Sequence, residues 1–226
     1  DYPFFLKFVP DNKKCIAYSA SFGKSKLEDW EKNETKELLQ KYKHIAMREK
    51  SGVEILTELG INNGIQVLDP TLLLDKNDWN DLISSKYEGK KYIFMYNINH
   101  NKKLDEYARR LAKKKNLKLI YVSYNYHDCL KPGRLKCNTK VENFLSLIAN
   151  AEYVLTDSFH CTAYSINFNK NLLVAYPEIF STRLASIVEL TGLNNRVIDD
   201  YNNLEICERK IDYERANKIL ETERKK

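Results

Sequence analysis

The 226-residue sequence has no apolar run approaching the ~20 residues that span a bilayer, and no secretory signal opens it. No membrane-spanning helix is expected within these residues. The chain opens at Asp1, not Met, and runs directly into the apolar stretch Tyr2-Pro3-Phe4-Phe5-Leu6, so an upstream segment is expected. Low-complexity tracts are absent as well. With 43% hydrophobic, 12% aromatic and 30% charged residues, the composition supports a packed core and argues against disorder. The five cysteines (Cys15, Cys129, Cys137, Cys161, Cys207) are odd in number and form no CxxC pair or Cys/His metal spacing. They read as free, mostly buried thiols in a reducing compartment, and the expected location is the cytoplasm. Strong basicity is lacking too. A net charge of +6 is modest for this length, and Lys113-Lys114-Lys115 and Arg224-Lys225-Lys226 fall at the ends of expected helices, where cations suit the macrodipole. No nucleic-acid partner is expected; an anionic small substrate fits the charge equally well. Finally, the sequence has no GxGxxG, no GxxxxGK[ST] and no GxSxG. Dinucleotide-binding, P-loop and hydrolase-elbow readings lose their main support.

What is present is alternation. Apolar, β-branched runs predict strands at 15–20, 44–48, 66–69, 92–97, 118–123, 153–156, 172–176 and 196–198. Amphipathic stretches between them predict helices at 26–42, 52–60, 102–115, 140–150, 160–168, 183–191 and 212–224. Gly60 and Gly192 stand where helices stop; Ser51, Asp157 and Thr182 stand near starts. Such β-α alternation implies parallel strands joined by right-handed crossovers, hence an α/β fold of Rossmann-like units. The polar stretch 75–91 most resembles a boundary. It divides a partial N-terminal Rossmann-like domain (1–85, only three strands) from a C-terminal one (86–226) with a closing helix. The connection 124–139, with Lys131-Pro132-Gly133, is long enough to be a functional lid.

In open parallel sheets, ligands bind at the carboxyl ends of strands, where helix N-termini attract anions. Three ionisable residues fall there: Arg48 closes HIAMR, His160 follows YVLTDSF, and Arg183 follows LLVAYPEIFST. Each has a plainer reading. Arg48 suits a surface pair with Glu49 or Glu54, His160 a histidine held by Asp157, and Arg183 an ordinary first-turn arginine. A cation at a helix start opposes the dipole, which favours a functional reason. Ser158 and Thr182, at the same two turns, join Arg48 and Arg183 as expected substrate-binding residues, with His160 catalytic. Asp157 reads as a helix cap or as the group that orients His160, and Asp69, before Pro70, as turn chemistry. His44, His100 and His127 read as structural or solvated. The Ser21-Phe22-Gly23-Lys24 loop is a weak candidate for holding a phosphate through its backbone N–H groups.

The segments SASFGKSKL, HIAMREKSGVEILTELGI, VLDPTLLL, NFLSLIANAEYVLTDSFHCTAYSINFNK and STRLASIVELTGLNNRVI, in that order, resemble the polysaccharide pyruvyl transferase family over nearly the whole chain. The resemblance implies two Rossmann-like domains similar to GT-B glycosyltransferases, and transfer of pyruvate from phosphoenolpyruvate onto sugar hydroxyls as a ketal. It further implies a saccharide or lipid-linked oligosaccharide acceptor, with peripheral membrane association through that acceptor. By the same similarity Arg48 matches the family's donor arginine, His160 its catalytic histidine and, more loosely, Arg183 its second basic donor position. Neither a metal nor a cofactor is expected; phosphoenolpyruvate enters as the donor substrate. Two departures stand out. The family's glycine-bearing turn after a first strand is absent, and Cys161 stands where members usually carry glycine. A nucleotide-sugar glycosyltransferase of GT-B type and an inactive carbohydrate-binding relative are the alternatives.

Overall fold

The computed structural model describes the chain except for Asp1, Asp11, Pro132 and Phe180, and except for the side chains of Tyr2, Tyr126 and His127. The expectations for Asp1, the Tyr2 side chain, Pro132 of the long loop and the His127 side chain therefore lie outside the described residues.

Two all-parallel sheets organise the chain. The smaller contains β1 (Cys15–Ala20), β2 (Tyr42–Met47) and β3 (Ile65–Gln66) in the order β1-β2-β3, joined by α1 (Asp29–Leu39) and α2 (Lys50–Glu58). Helix α1 begins where the Glu31 carboxylate accepts the Glu28 amide at 3.0 Å, and Asp29 and Glu31 place negative charge in its first turn. Helix α2 buries Ile55 and Leu56 against Ile45 and Met47, and the chain leaves it through Gly60 at φ +80°, a conformation that favours glycine.

The larger sheet holds β4 (Tyr92–Tyr96), β5 (Lys118–Val122), β6 (Arg134–Lys136), β7 (Tyr153–Thr156) and β8 (Asn171–Val174), in the order β6-β5-β4-β7-β8. Its helices are α3 (Lys102–Lys115), α4 (Val141–Ala149), α5 (Phe159–Asn167), α6 (Thr182–Leu190) and α7 (Tyr213–Glu223). Side-chain alternation along each strand feeds two cores. Ile93, Met95, Leu119, Leu155 and Leu173 meet Leu104, Tyr107 and Leu111 of α3. Phe94, Ile120, Val154 and Leu172 point the other way, to Leu147, Ile166, Val188 and Leu220. Burial on both faces explains why these strands read as continuous apolar runs. The chain builds outward from β4 to β6, then returns to the opposite side with β7 and β8, so the strand order reverses at β4.

Three expectations change. The run 196–198 is no strand but a single parallel bridge, Val174 to Val197. Fully buried Arg196 next to it donates to the Leu172, Ile206 and Arg209 carbonyls, and that polar tie replaces a ladder. The long connection 124–139 contains β6, which pairs with β5 at the sheet edge. Leu68, Leu72 and Tyr87 pack into the larger core rather than under the small sheet. The chain passes to the larger packing unit directly after β3, ahead of the polar stretch. At the end of α7, Arg224 donates to the Leu72 carbonyl at 2.8 Å and reaches Leu74 and Asn167, closing over that segment.

Candidate functional site

Strand β2 delivers Arg48 and Glu49 to the start of α2. The Arg48 amide donates to the Ala20 carbonyl at 3.0 Å, so β1 and β2 end side by side. Glu49 is fully buried, and one carboxylate oxygen accepts the Ser21 hydroxyl at 2.8 Å and the Phe22 and Gly23 amides at 2.8 and 3.0 Å. This corrects the phosphate-loop reading: those amides already hold an anion, and it is the protein's own carboxylate. Glu49, not Ser51, is also the residue at the N-cap of α2.

The neighbouring strand β3 ends at Gln66, and Asp69 follows it. Asp69 accepts the Thr71 amide at 3.0 Å and caps the turn Pro70–Leu72, as its place before a proline suggests. It does more than that. Its other oxygen lies 2.8 Å from Arg48 Nη1 and 4.0 Å from His160 Nε2. Burial works to raise this carboxyl, but the Thr71 amide, the Arg48 guanidinium, the Thr71 hydroxyl and His160 together hold it below the usual carboxylate range. Arg48 thus pairs with Asp69, not with Glu49 or Glu54. A sequence signal for this existed, because Arg48 and Asp69 each follow the carboxyl end of adjacent parallel strands.

The larger sheet supplies the other wall. Ser158 caps α5, its hydroxyl accepting the Cys161 amide at 3.5 Å, while its own amide donates to the Thr156 hydroxyl at 3.0 Å. The Ser158 hydroxyl is therefore engaged as a cap. Phe159 and His160 form the first turn. Asp157 does not orient His160: its carboxylate accepts the Ile98 amide at 2.8 Å, the Asn99 amide at 3.0 Å and the Asn99 side-chain amide at 2.9 Å. Burial of Cys161 pushes its thiol up to about 12, so the residue that replaces the family's glycine is an inert, packed group. Arg183 and Thr182 open α6, whose Ser186 hydroxyl accepts from the Lys50 amide at 3.1 Å and from the Gln66 side chain at 2.9 Å. That contact locks α6 to the small sheet.

The three expected residues meet around one ring. The guanidinium carbons of Arg48 and Arg183 stand 5.5 and 6.0 Å from the Phe159 centroid, and the His160 ring centroid lies 5.3 Å away, edge-on. Sequence reasoning missed Phe159 because an aromatic at a helix start reads as core. Burial, together with Arg48, opposes the charge on Arg183, while Glu49 and Asp69 support it. Desolvation and the two guanidinium groups likewise hold the half-exposed His160 below its ordinary value, against the pull of Asp69. The Nε atoms of Arg48 and Arg183, Glu49 Oε2 and the Thr182 hydroxyl are buried without a hydrogen-bond partner. Three helix N-termini (α2, α5 and α6) converge here with two guanidinium groups. Such an arrangement favours a small ligand with more than one anionic group.

The fold and the site together define a parallel α/β protein in which two guanidinium groups and an imidazole gather where the two sheets meet. The chain belongs to the polysaccharide pyruvyl transferase family, whose model matches residues 1–176. The match includes Arg48, Asp69, Ser158 and His160 and ends before Thr182 and Arg183. No curated relative matches the chain. Among solved structures, a UDP co-structure of MnaA from S. aureus matches at 18% identity and TM-score 0.47, covering 80% of this chain and 52% of its own. A Listeria monocytogenes protein assigned as a UDP-N-acetylglucosamine 2-epimerase matches at 12% identity and TM-score 0.49, covering 91% of this chain and 60% of its own. The chain thus spans little more than half the length of these structures. Among the described residues, no helix is long and apolar enough to cross a membrane.

Proposed function

We propose that this chain transfers the pyruvyl group of phosphoenolpyruvate to two hydroxyls of a saccharide, forming a ketal and releasing phosphate. The observation that carries the reading is the pair Arg48 and Arg183, brought from different sheets over one face-forming ring beside His160. Phosphoenolpyruvate carries a carboxylate and a phosphate close together, and a pair of planar guanidinium forks suits both groups. Ser158 and Thr182 stand at the same helix starts, Ser158 as the cap of α5 and Thr182 in the first turn of α6.

In the reaction, a proton goes to the methylene carbon, and the central carbon becomes electrophilic and takes the first sugar hydroxyl. Phosphate departs with the carbon–oxygen bond electrons, and the second hydroxyl closes the ketal. The diol gives up two protons, one accounted for by the new methyl group and one by the released phosphate. His160 is the group placed to move them near neutral pH. In the free protein desolvation and the two arginines hold its proton affinity below the ordinary value, against Asp69; a bound dianion would raise that affinity and offset the two arginines. Asp69 holds Arg48 and partly balances the imidazolium form. Arg48 and Arg183 would stabilise the departing phosphate.

The test is titration of the protein with phosphoenolpyruvate by calorimetry, with UDP as the competitor. Micromolar to millimolar binding of phosphoenolpyruvate, lost in the Arg48→Ala and Arg183→Ala variants, is the expected result. Tight UDP binding with no phosphoenolpyruvate binding would replace this reading with a nucleotide-sugar transferase.

A further inference from the structure

A depression lies at the carboxyl ends of β4 and β5, where the strand order reverses. Its volume is about 500 Å³. Eight residues line it, among them Tyr96, Ile98, His100, Ser123 and Tyr124, and none is a lysine, arginine or carboxylate. That uncharged lining contrasts with the two guanidinium groups gathered at Phe159. Tyr124 and Ile98 are 65% and 48% exposed, an aromatic and an aliphatic surface held toward solvent at the mouth.

Both walls are fixed from behind by buried carboxylates. On one side, Asp157 accepts the Ile98 and Asn99 amides. On the other, Asp128 accepts the Ser123 hydroxyl at 2.5 Å and pairs with Lys131 at 3.0 Å, while the Asn125 amide donates to the Ser123 hydroxyl at 3.0 Å. Lys131 in turn reaches Asp105 of α3 at 2.8 Å. The loop that presents Tyr124 is therefore preorganised, which lowers the ordering cost of binding. Tyr96 lines this depression on the side of Asp157 and Cys161. Burial pushes its phenol up to about 12, with Tyr124, Cys161 and Asp157 acting in the same direction, so it remains a protonated donor between Tyr124 and the start of α5.

We propose that this depression is the acceptor subsite, and that it takes an uncharged pyranose stacked on Tyr124 and Ile98 with its hydroxyls toward Tyr96 and His100. An aromatic face suits the partly positive C–H face of a sugar, and the few polar groups around it fix orientation. A lining without cations does not suit a phosphate. Asp157, three residues before His160, ties one wall of the depression to the segment that leads into α5. The assignment to an acceptor rests on the pyruvyl-transfer reading; the assignment to a neutral sugar rests on the pocket alone.

Saturation-transfer NMR on the full chain tests it, using as probes the methyl glycosides of glucose, galactose, mannose, N-acetylglucosamine and N-acetylmannosamine. At least one should receive saturation on its ring protons. Tyr124→Ala should weaken that binding about tenfold or more, and Tyr124→Phe should retain it. Phosphoenolpyruvate affinity, measured by calorimetry on the same samples, should not change in Tyr124→Ala. The proposal is overturned if no glycoside binds, if Tyr124→Ala binds as well as the parent, or if uridine binds in a Tyr124-dependent way and displaces the sugar. Sugar binding through Tyr124 without any phosphoenolpyruvate binding would sustain the pocket and remove the donor reading. Phosphoenolpyruvate binding without any sugar would do the reverse.

Discussion

The two sheets differ in how completely they are covered. The larger is packed on both faces, with Ile93, Phe94, Val154, Leu155, Leu172 and Leu173 all at 0% exposure. The smaller has one modest core, and a cleft of about 580 Å³ beside it is lined by Phe4, Phe5, Leu27, Trp30, Met47 and Leu56, among others. Ile16 and Tyr18 on β1 are 60% and 51% exposed, and Trp30 is 78% exposed. Both units nevertheless contribute to the same cluster: Arg48 from the smaller, Phe159, His160 and Arg183 from the larger, with Asp69 on the segment that passes between them. On the proposed reading, the proton-moving His160 stands on the well-packed unit, and Arg48, one arm of the donor clamp, on the less covered one. Local opening free energy follows buried apolar contact, so clamp and chemistry should be separable by experiment.

His160→Gln should give the largest effect, a loss of ~10²–10⁴-fold in turnover at saturating donor and acceptor. Glutamine keeps much of the size but does not titrate near neutrality, and the residue is half-exposed, so the melting temperature should hold. A well-folded variant with near-normal turnover would show that the larger sheet does not carry the proton transfer.

Core truncations compare the sheets directly. Leu173→Ala, in the fully buried layer under α3, should cost ~2–5 kcal/mol, as large-to-small substitutions in packed cores do. Leu27→Ala, beside the existing cleft, should fall at or below the low end of that range, because fewer contacts are lost. Urea denaturation of both variants checks this; equal costs would mean that the smaller unit is as tightly packed as the larger.

Arg48→Ala should weaken donor use more than acceptor use. It removes a charge-assisted contact worth ~1.5–3 kcal/mol, about tenfold or more in apparent affinity for phosphoenolpyruvate. A change in turnover alone, with donor affinity intact, would place the clamp elsewhere.

The smallest effect is on stability against pH. His160 binds its proton less readily folded than unfolded, so below its ordinary pKa the unfolded chain takes up more protons. Stability should therefore fall as pH drops from 7 towards 5, and His160→Gln should fall less steeply over that window. Parallel slopes for the two proteins, by thermal melts at several pH values, would deny the depressed value.

Periodicity and caps were sufficient for most of the fold. Strand 153–156 and helix 102–115 are found with the bounds read from sequence, because a short, buried run of strand-favouring residues and a strongly amphipathic, lysine-ended run have few competing solutions. The run 196–198 misled for a physical reason: apolar Val197 and Ile198 suit a strand, but the preceding arginine binds three carbonyls that no local pattern announces. Strand β6 was missed because three residues, two of them basic, carry no periodic signal.

The site divides the same way. Sequence by itself placed Arg48, His160 and Arg183 at the carboxyl ends of strands, since β-α alternation fixes which residues follow a strand and precede a helix. Only the tertiary structure decided that three positions separated by 112 and 23 residues share the Phe159 ring. It also decided which carboxylate goes with which partner: Asp69 with Arg48, Asp157 with the loop after β4, and Glu49 with the amides after β1. Local sequence sets the backbone period, but a buried carboxylate pairs with whatever unsatisfied donors the packing brings within reach, and that depends on how adjacent strands end in space.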